Sequence, residues 1–284
     1  MPLDKEAIFR TKARLHDYIP IVGRGTIEAL YALAERLSGK TVVNVNSTFS
    51  GGGVAEILMR MVPLLNQLGV DTRWMVIKGN ESFFTVTKKF HNALHGKRED
   101  ITPEDYALFL EVSNKNMEEM QLTGDILFIH DPQPVVLIKK KGEIGEKWVW
   151  RCHIDVSNPD LDVWNFLYQY VVDYDATVFS APNFARKLPN RQFLIHPSID
   201  PLSDKNKDLP KETIEKVLNK YGLNMEKPII LQVSRFDYLK DPIGVIDAFE
   251  MVRKNIPCQL VLAGGTATDD PESDKVLEEV KDRA

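Results

Sequence analysis

The chain has 284 residues, 43% hydrophobic and 27% charged, which is an ordinary globular composition with apolar material for about two domains. Its formal net charge is −5, which argues against a nucleic-acid partner, since that role usually leaves a basic excess. The two cysteines, Cys152 and Cys258, lie far apart and outside any C-x-x-C pair, so neither a disulfide framework nor a thiolate zinc site is expected. The start, Met1 to Arg10, is charged and unlike a secretory signal, and no apolar run approaches the roughly 18 residues of a membrane span. The expectation is a soluble, cytoplasmic protein with no membrane partner.

Two amphipathic helices come first, about Lys5–Tyr18 and Thr26–Leu37. Strands and helices then alternate. Thr41–Asn46 (TVVNVN) reads as a strand, and Val54–Leu68 carries apolar residues at helical spacing. Thr72–Ile77 is a strand, and Glu81–Leu94 and Pro103–Met120 are helices, the second with Pro in an acceptable first-turn position. Asp125–Ile129 and Trp148–Cys152 are buried strands, followed by a helix over Leu161–Val172. Thr177–Ser180 and Phe193–Ile195 are short strands. This alternation implies βαβ units and a mainly parallel sheet.

Pro197–Lys211 is polar and turn-rich and is the best linker candidate. Beyond it Lys211–Lys220 is a helix, Pro228–Val233 a strand, Asp241–Val252 a helix, Gln259–Ala263 a strand and Lys275–Lys281 the start of a helix. The expected organisation is N-terminal helices over 1–40 that belong to the first domain, a Rossmann-like acceptor-side domain over 41–203, and the start of a second Rossmann-like domain over 204–284. Two strands and three helices cannot cover both faces of a parallel sheet, so the second domain is expected to be truncated.

Three segments carry chemistry. Asn46-Ser-Thr-Phe-Ser-Gly51-Gly52-Gly53-Val54 joins the first strand to a helix. Consecutive glycines let a backbone adopt positive φ and approach a ligand, and the following helix N-terminus favours an anion. It is neither a Walker A loop nor a dinucleotide G-x-G-x-x-G, whose third Gly position holds Glu56. A tight strand-to-helix turn is the equally weighted structural reading.

The second segment is Val233-Ser-Arg235-Phe-Asp237-Tyr-Leu-Lys240-Asp241-Pro242. It places Arg235 and Lys240 in one loop before a helix that Asp241 can cap. Two cations beside a helix N-terminus suit a diphosphate. Alternatively, Arg235 pairs with Asp237 and Lys240 is solvated. The Gly loop of the other domain tips the balance towards phosphate.

The third is a set of histidines at strand ends: His130 beside Asp131, His153 before Asp155, and His196. An imidazole and a carboxylate there could hydrogen-bond sugar hydroxyls and handle protons, and His153 and Asp131 rank above His130 and His196. Other patterns are set aside. His91 and His95 have metal-like spacing, but the Glu a zinc protease needs is missing. Asp160-Leu-Asp162 and Asp173-Tyr-Asp175 read as a helix cap and a turn. The aromatic text around Trp148, Trp150, Trp164 and Tyr168 reads mainly as core.

The strings SGGGVAE at Ser50–Glu56, HDPQP at His130–Pro134, RCHID at Arg151–Asp155, HPSID at His196–Asp200, VSRFDYLKDP at Val233–Pro242 and LAGG at Leu262–Gly265 resemble retaining glycosyltransferases of the GT-B fold, family 4. The likeness runs from about Thr41 onward and is nearest to the trehalose-forming members. It implies an α/β fold of two doubly wound domains facing a cleft. It also implies transfer of glucose from a nucleoside diphosphate glucose to free glucose, reversibly, with no metal or other cofactor.

The same resemblance implies roles for single residues. Arg235 and Lys240 would bind the donor diphosphate, with Gly52 and Gly53 against the phosphate and Gly51 beside the sugars. His153 would contact the donor glucose, and Asp131 would lie by the acceptor. Members that release glucose 1-phosphate share these short motifs, so they, or another family 4 hexosyltransferase, remain an alternative, and a homodimer is left open. A family Glu, seven residues, Glu pair is absent after LAGG: Glu272 and Glu279 have six residues between them and lie too early. The chain alone is therefore expected to be nearly inactive. The rivals from other classes are a non-catalytic sugar or nucleotide-binding module and, ranked lower, an NAD-dependent oxidoreductase.

Overall fold

The protein is described here by a computed structural model covering residues 13–265 and 272–284. The first eight residues of the helix expected over Lys5–Tyr18 lie outside the described residues. Its end is a 3-10 turn, Leu15–Tyr18, running into a single helical turn, Ile19–Val22, which Gly23 closes at φ 80°. Helix α1 (Arg24–Glu35) follows directly. The chain divides into two compact units between Ile199 and Asp200.

The first unit is a six-stranded, wholly parallel sheet. Its strands are β1 (Thr41–Asn46), β2 (Asp71–Val76), β3 (Ile126–His130), β4 (Lys147–Cys152), β5 (Ala176–Phe179) and β6 (Arg191–Leu194), in the order β2-β1-β3-β4-β5-β6. Parallel strands buried on both faces read as continuous apolar runs, which is why TVVNVN and KWVWRC form central strands. Val43, Val45, Leu127, Ile129, Trp148 and Trp150 are all buried in this core.

The intervening helices are α2 (Gly53–Gln67), α3 (Glu81–Leu94), α4 (Pro103–Glu119) and α5 (Leu161–Val171). Their starts follow from side chains that satisfy otherwise unpaired backbone N–H groups. Asn80 accepts from the Phe83 backbone, Thr102 and Asp105 form a reciprocal capping box ahead of α4, and Asp160 accepts from Asp162 and Val163. The sequence reading omitted a 3-10 helix over Val135–Lys140. Its first four residues are buried without exception, so no polar face marks its period.

Strand order reverses at β1. From there β2 lies to one side, while β3 to β6 run to the other. In an open α/β sheet the crevice at such a reversal, beyond the carboxyl ends of the strands, is where ligands bind.

The second unit holds α6 (Lys211–Lys220), β7 (Ile229–Val233), α7 (Pro242–Arg253), β8 (Gln259–Ala263) and α8 (Ser273–Arg283). β7 and β8 pair in parallel, and Arg283 ties α8 to Asp247 of α7 at 2.8 Å and to Glu250 at 3.0 Å. Among the described residues this sheet has two strands, and Leu231 and Val233 of β7 are 58% and 74% exposed. No helix among the described residues is long and apolar enough to cross a membrane.

Candidate active site

The glycine turn leaves the carboxyl end of β1. Asn46 shapes it from below: its carbonyl accepts from Trp74 Nε1 at 2.8 Å, and its amide donates to the Thr48 carbonyl at 2.8 Å. Thr48 in turn exchanges hydrogen bonds with the Ser50 carbonyl (2.8 Å) and the Ser50 backbone N–H (3.1 Å). The chain then passes through Gly51 at φ 74° and Gly52 at φ 129°. The second angle lies in a region that is essentially closed to other residues. Gly53 is the first residue of α2, and no side chain caps that helix. An uncapped N-terminus beyond a parallel strand is a place where an anion can take the free N–H groups.

One strand over, at the end of β3, Asp131 is held at φ 64°, an unusual conformation for a residue other than glycine. Three hydrogen bonds enforce it. Its N–H donates to the Arg151 carbonyl (2.9 Å), its carbonyl accepts from Trp150 Nε1 (2.9 Å), and its Oδ1 accepts from the His153 N–H (2.7 Å). Asp131 and His153, singled out from the sequence, are thus brought into direct contact.

His130 belongs to the same cluster, contrary to its lower rank in the sequence reading. It is buried, with Nδ1 3.0 Å from His153 Nε2 and Nε2 3.1 Å from Asn44 Oδ1. The chain of contacts therefore runs from β1 through β3 to the end of β4, across the point where strand order reverses. His196, the third strand-end histidine, is exposed beyond β6 and belongs to no such cluster.

Burial and the neighbouring Arg151 cation push the His153 imidazole down to about 3. Burial also takes His130 well below the usual histidine range, helped by His153 and Arg151. Both rings are therefore neutral near pH 7. His153 thus stands at the strand end as a neutral hydrogen-bonding group.

Arg151 is itself buried and donates to the Ile195 carbonyl at 3.4 Å. Burial lowers its pKa, and the Asp131 carboxylate opposes that shift. It places a cation beneath the site. From sequence, Arg151 is visible only as part of the RCHID string, and no motif singles out Asn44 as a site residue. The visible signal for Asn44 was two asparagines, 44 and 46, on one face of an otherwise apolar central strand.

Arg235 and Lys240 lie in the second unit, in the loop after β7. Ser234 N–H donates to the Ala263 carbonyl, and a Cβ on Gly264 would collide with the Ser234 carbonyl oxygen, so the glycine of LAGG lets the two strand ends approach. Arg235 reaches Asp237 at 3.4 Å, the local pairing that is the alternative to phosphate binding. Asp237 is buried and also accepts from Leu239 N–H (2.9 Å), starting a 3-10 turn over Tyr238–Lys240. The Lys240 side chain is exposed, while its carbonyl accepts from Gln232 at 2.7 Å. Asp241, at φ 48°, caps α7 by accepting from Gly244 N–H at 3.1 Å. Among the described residues no group of three or more His, Cys, Asp or Glu side chains could hold a metal ion.

The parallel sheet with a glycine turn at its reversal, followed by a second β/α unit, defines an α/β protein of the GT-B glycosyltransferase class. Solved structures agree with that fold. Trehalose-6-phosphate synthase OtsA superposes with a TM-score of 0.63 at 15% identity, covering 86% of this chain and 69% of that one. An α,α-trehalose-phosphate synthase from Burkholderia xenovorans, in complex with glucose 6-phosphate, gives 0.61 at 12% identity over 86% and 70%.

Residues 44–186 match the family model for the trehalose synthase N-terminal domain, and residues 213–283 match glycosyl transferases group 1. The chain belongs to the trehalose synthase N-terminal domain family. It is 47% identical to the trehalose synthase of Thermococcus litoralis over 264 residues and 43% identical to that of Rubrobacter xylanophilus over 267. These alignments cover 91% of the chain and 64% of each relative. A trehalose phosphorylase of Grifola frondosa is 27% identical, covering 94% of this chain and 42% of its own length.

Proposed function

We propose that this chain supplies the acceptor side, and the start of the donor side, of a retaining glucosyltransferase. The reaction forms trehalose reversibly from a nucleoside diphosphate glucose and free glucose. The observation that carries the reading is the Asn44–His130–His153–Asp131 cluster beside the Gly51–Gly53 turn, at the reversal of strand order, in a chain of this family.

The groups divide the chemistry. Arg235 and Lys240 bind the donor diphosphate, with Gly52 and Gly53 letting the backbone of the turn lie against phosphate. As the glucose C1–O bond breaks, the sugar gains oxocarbenium character and negative charge grows on the leaving phosphate. Fixed cations and helix N–H groups stabilise that charge without reorganising. The acceptor hydroxyl attacks from the same face and a phosphate oxygen takes its proton. Neutral His153 hydrogen-bonds a donor-glucose hydroxyl, and Asp131 lies by the acceptor and orients it. No metal or other cofactor is invoked, because protein cations serve the leaving group.

The test is an assay of the complete protein with several nucleoside diphosphate glucoses and free glucose, followed for trehalose and the released nucleoside diphosphate. Trehalose formed in step with nucleoside diphosphate supports the reading. Trehalose made only from glucose 1-phosphate would replace it with the phosphorylase reaction, and ligand binding without turnover would make the protein a binding module.

A further inference from the structure

A buried hydrogen-bond relay reaches His153 from behind, and it has a direction. Asn44 and His130 are each 1% exposed. The Asn44 amide nitrogen lies 3.5 Å from the Arg73 carbonyl oxygen, so the carbonyl end of the amide faces His130. The opposite orientation would set two oxygens against each other. Asn44 Oδ1 can only accept, so the His130 nitrogen 3.1 Å away, Nε2, carries the hydrogen.

A neutral imidazole has one hydrogen, so His130 Nδ1 is left as an acceptor. His153 Nε2 lies 3.0 Å from it and must therefore be the donor. This leaves the second His153 nitrogen, Nδ1, with a lone pair. Among the described residues it has no hydrogen-bond partner, and it is not sealed off from solvent. The backbone of His153 is fixed independently by Asp131 Oδ1.

We propose that Asn44 and His130 are positioning residues that fix the tautomer of His153, so that its Nδ1 is presented to the site as an obligate hydrogen-bond acceptor for a sugar hydroxyl. This rests on the reading of His153 as a donor-sugar ligand. It adds a rule of recognition: the sugar position facing Nδ1 must carry a hydrogen-bond donor. A fluorine there, which can only accept, is rejected as firmly as a hydrogen. The relay also explains why a central strand of the sheet tolerates a fully buried asparagine.

The test begins with the unmodified complete protein and 15N-labelled histidine. Nitrogen–proton correlation at neutral pH is expected to show both His130 and His153 protonated on Nε2 and unprotonated on Nδ1. Finding His153 protonated on Nδ1 overturns the proposal, whatever reaction the protein catalyses. The second arm is Asn44→Asp, nearly the same shape but anionic. The carboxylate favours a doubly protonated His130, whose Nδ1–H then donates to His153 Nε2 and moves the His153 hydrogen to Nδ1. The expected result is that switched signature, together with a loss of about tenfold in kcat/KM for the nucleoside diphosphate glucose, the size of one hydrogen bond. An unswitched tautomer, or a switched one with unchanged kcat/KM, removes the role assigned to the relay. Absence of any glucosyl transfer by the unmodified protein fails the functional reading, while the tautomer measurement still reports on the relay.

Discussion

Asp131 and His153 are joined by a 2.7 Å hydrogen bond from the His153 backbone N–H to Oδ1, with Asp131 held at φ 64°. The bond does two things at once. It fixes the start of the loop after β4, and it holds a carboxylate in place at the end of β3. Removing the carboxylate costs the charge-assisted bond and leaves the buried Arg151 with less compensation. Asp131→Ala is therefore expected to destabilise the protein by about 2–4 kcal/mol, combining the lost bond with an alanine forced into the left-handed region. Asp131→Gly loses the same bond but meets the backbone angle without strain, so its loss should be smaller by about 1 kcal/mol. Urea unfolding midpoints of the two variants check this. Equal losses would mean that the backbone conformation carries no strain.

The histidine pair makes stability depend on pH with a definite sign. The folded-state pKa of His153 is depressed to about 3, and that of His130 is also well below the unfolded value near 6.5. Between those limits the unfolded chain binds more protons than the folded one. The contribution is therefore complete above about pH 6.5 and is lost as pH falls towards 3, at about 1.4 kcal/mol per pH unit for each ring that must stay neutral. Unfolding free energies measured from pH 7.5 down to 4.5 should decline on that slope. His153→Asn should make it shallower, and a flat wild-type profile over this range would contradict the neutral pair.

Most of the framework was legible because each central strand is an apolar run bounded by turn residues, and because Asn80, Thr102 and Asp160 announce the helices they cap. Val135–Lys140 was not, since a short 3-10 helix whose first four residues are all buried shows no amphipathic period. The chemistry followed a similar division. Asp131 and His153 stood at strand ends, where ligand groups belong in a parallel sheet. Asn44, His130 and Arg151 sit inside the sheet, and their contacts depend on which strands are neighbours. TVVNVN marks a central strand but does not say that β3, over eighty residues later in the chain, lies beside it.

Arg235 and Lys240 separate two readings of one loop. If the 3.4 Å contact between Arg235 and Asp237 is only a local ion pair, truncating Arg235 should perturb the loop and little else. If both cations hold a leaving diphosphate, Arg235→Ala and Lys240→Ala should each lower kcat of the complete protein by about two or more orders of magnitude. Lys240→Ala should retain the fold, since Lys240 is exposed, and a melting curve of Arg235→Ala separates loss of turnover from loss of the Asp237 pairing. Steady-state kinetics with the donor in excess decides between them. Near-normal turnover in both variants would take the diphosphate away from this loop.

The glycine turn offers the sharpest separation of structural from functional need, because its neighbouring residues are glycine for different reasons. Gly52 sits at φ 129°, so Gly52→Ala is expected to strain the turn by about 1–3 kcal/mol even without ligand. Gly53 is different. It is the first residue of α2, it is not among the positive-φ glycines, and a Cβ added there would meet nothing within 4 Å. The folded chain gains nothing from a glycine at that position, and alanine is the better helix former by up to about 1 kcal/mol. Gly53→Ala should therefore leave the melting temperature unchanged or slightly raised. If a donor phosphate lies against this backbone, the same methyl group intrudes on the ligand. The KM for the nucleoside diphosphate glucose should then rise at least about tenfold, the equivalent of roughly 1.4 kcal/mol of lost binding. Thermal melting and donor titration on one preparation give both readouts. A variant with unaltered stability and unaltered KM would show that the space in front of Gly53 is not where the donor sits.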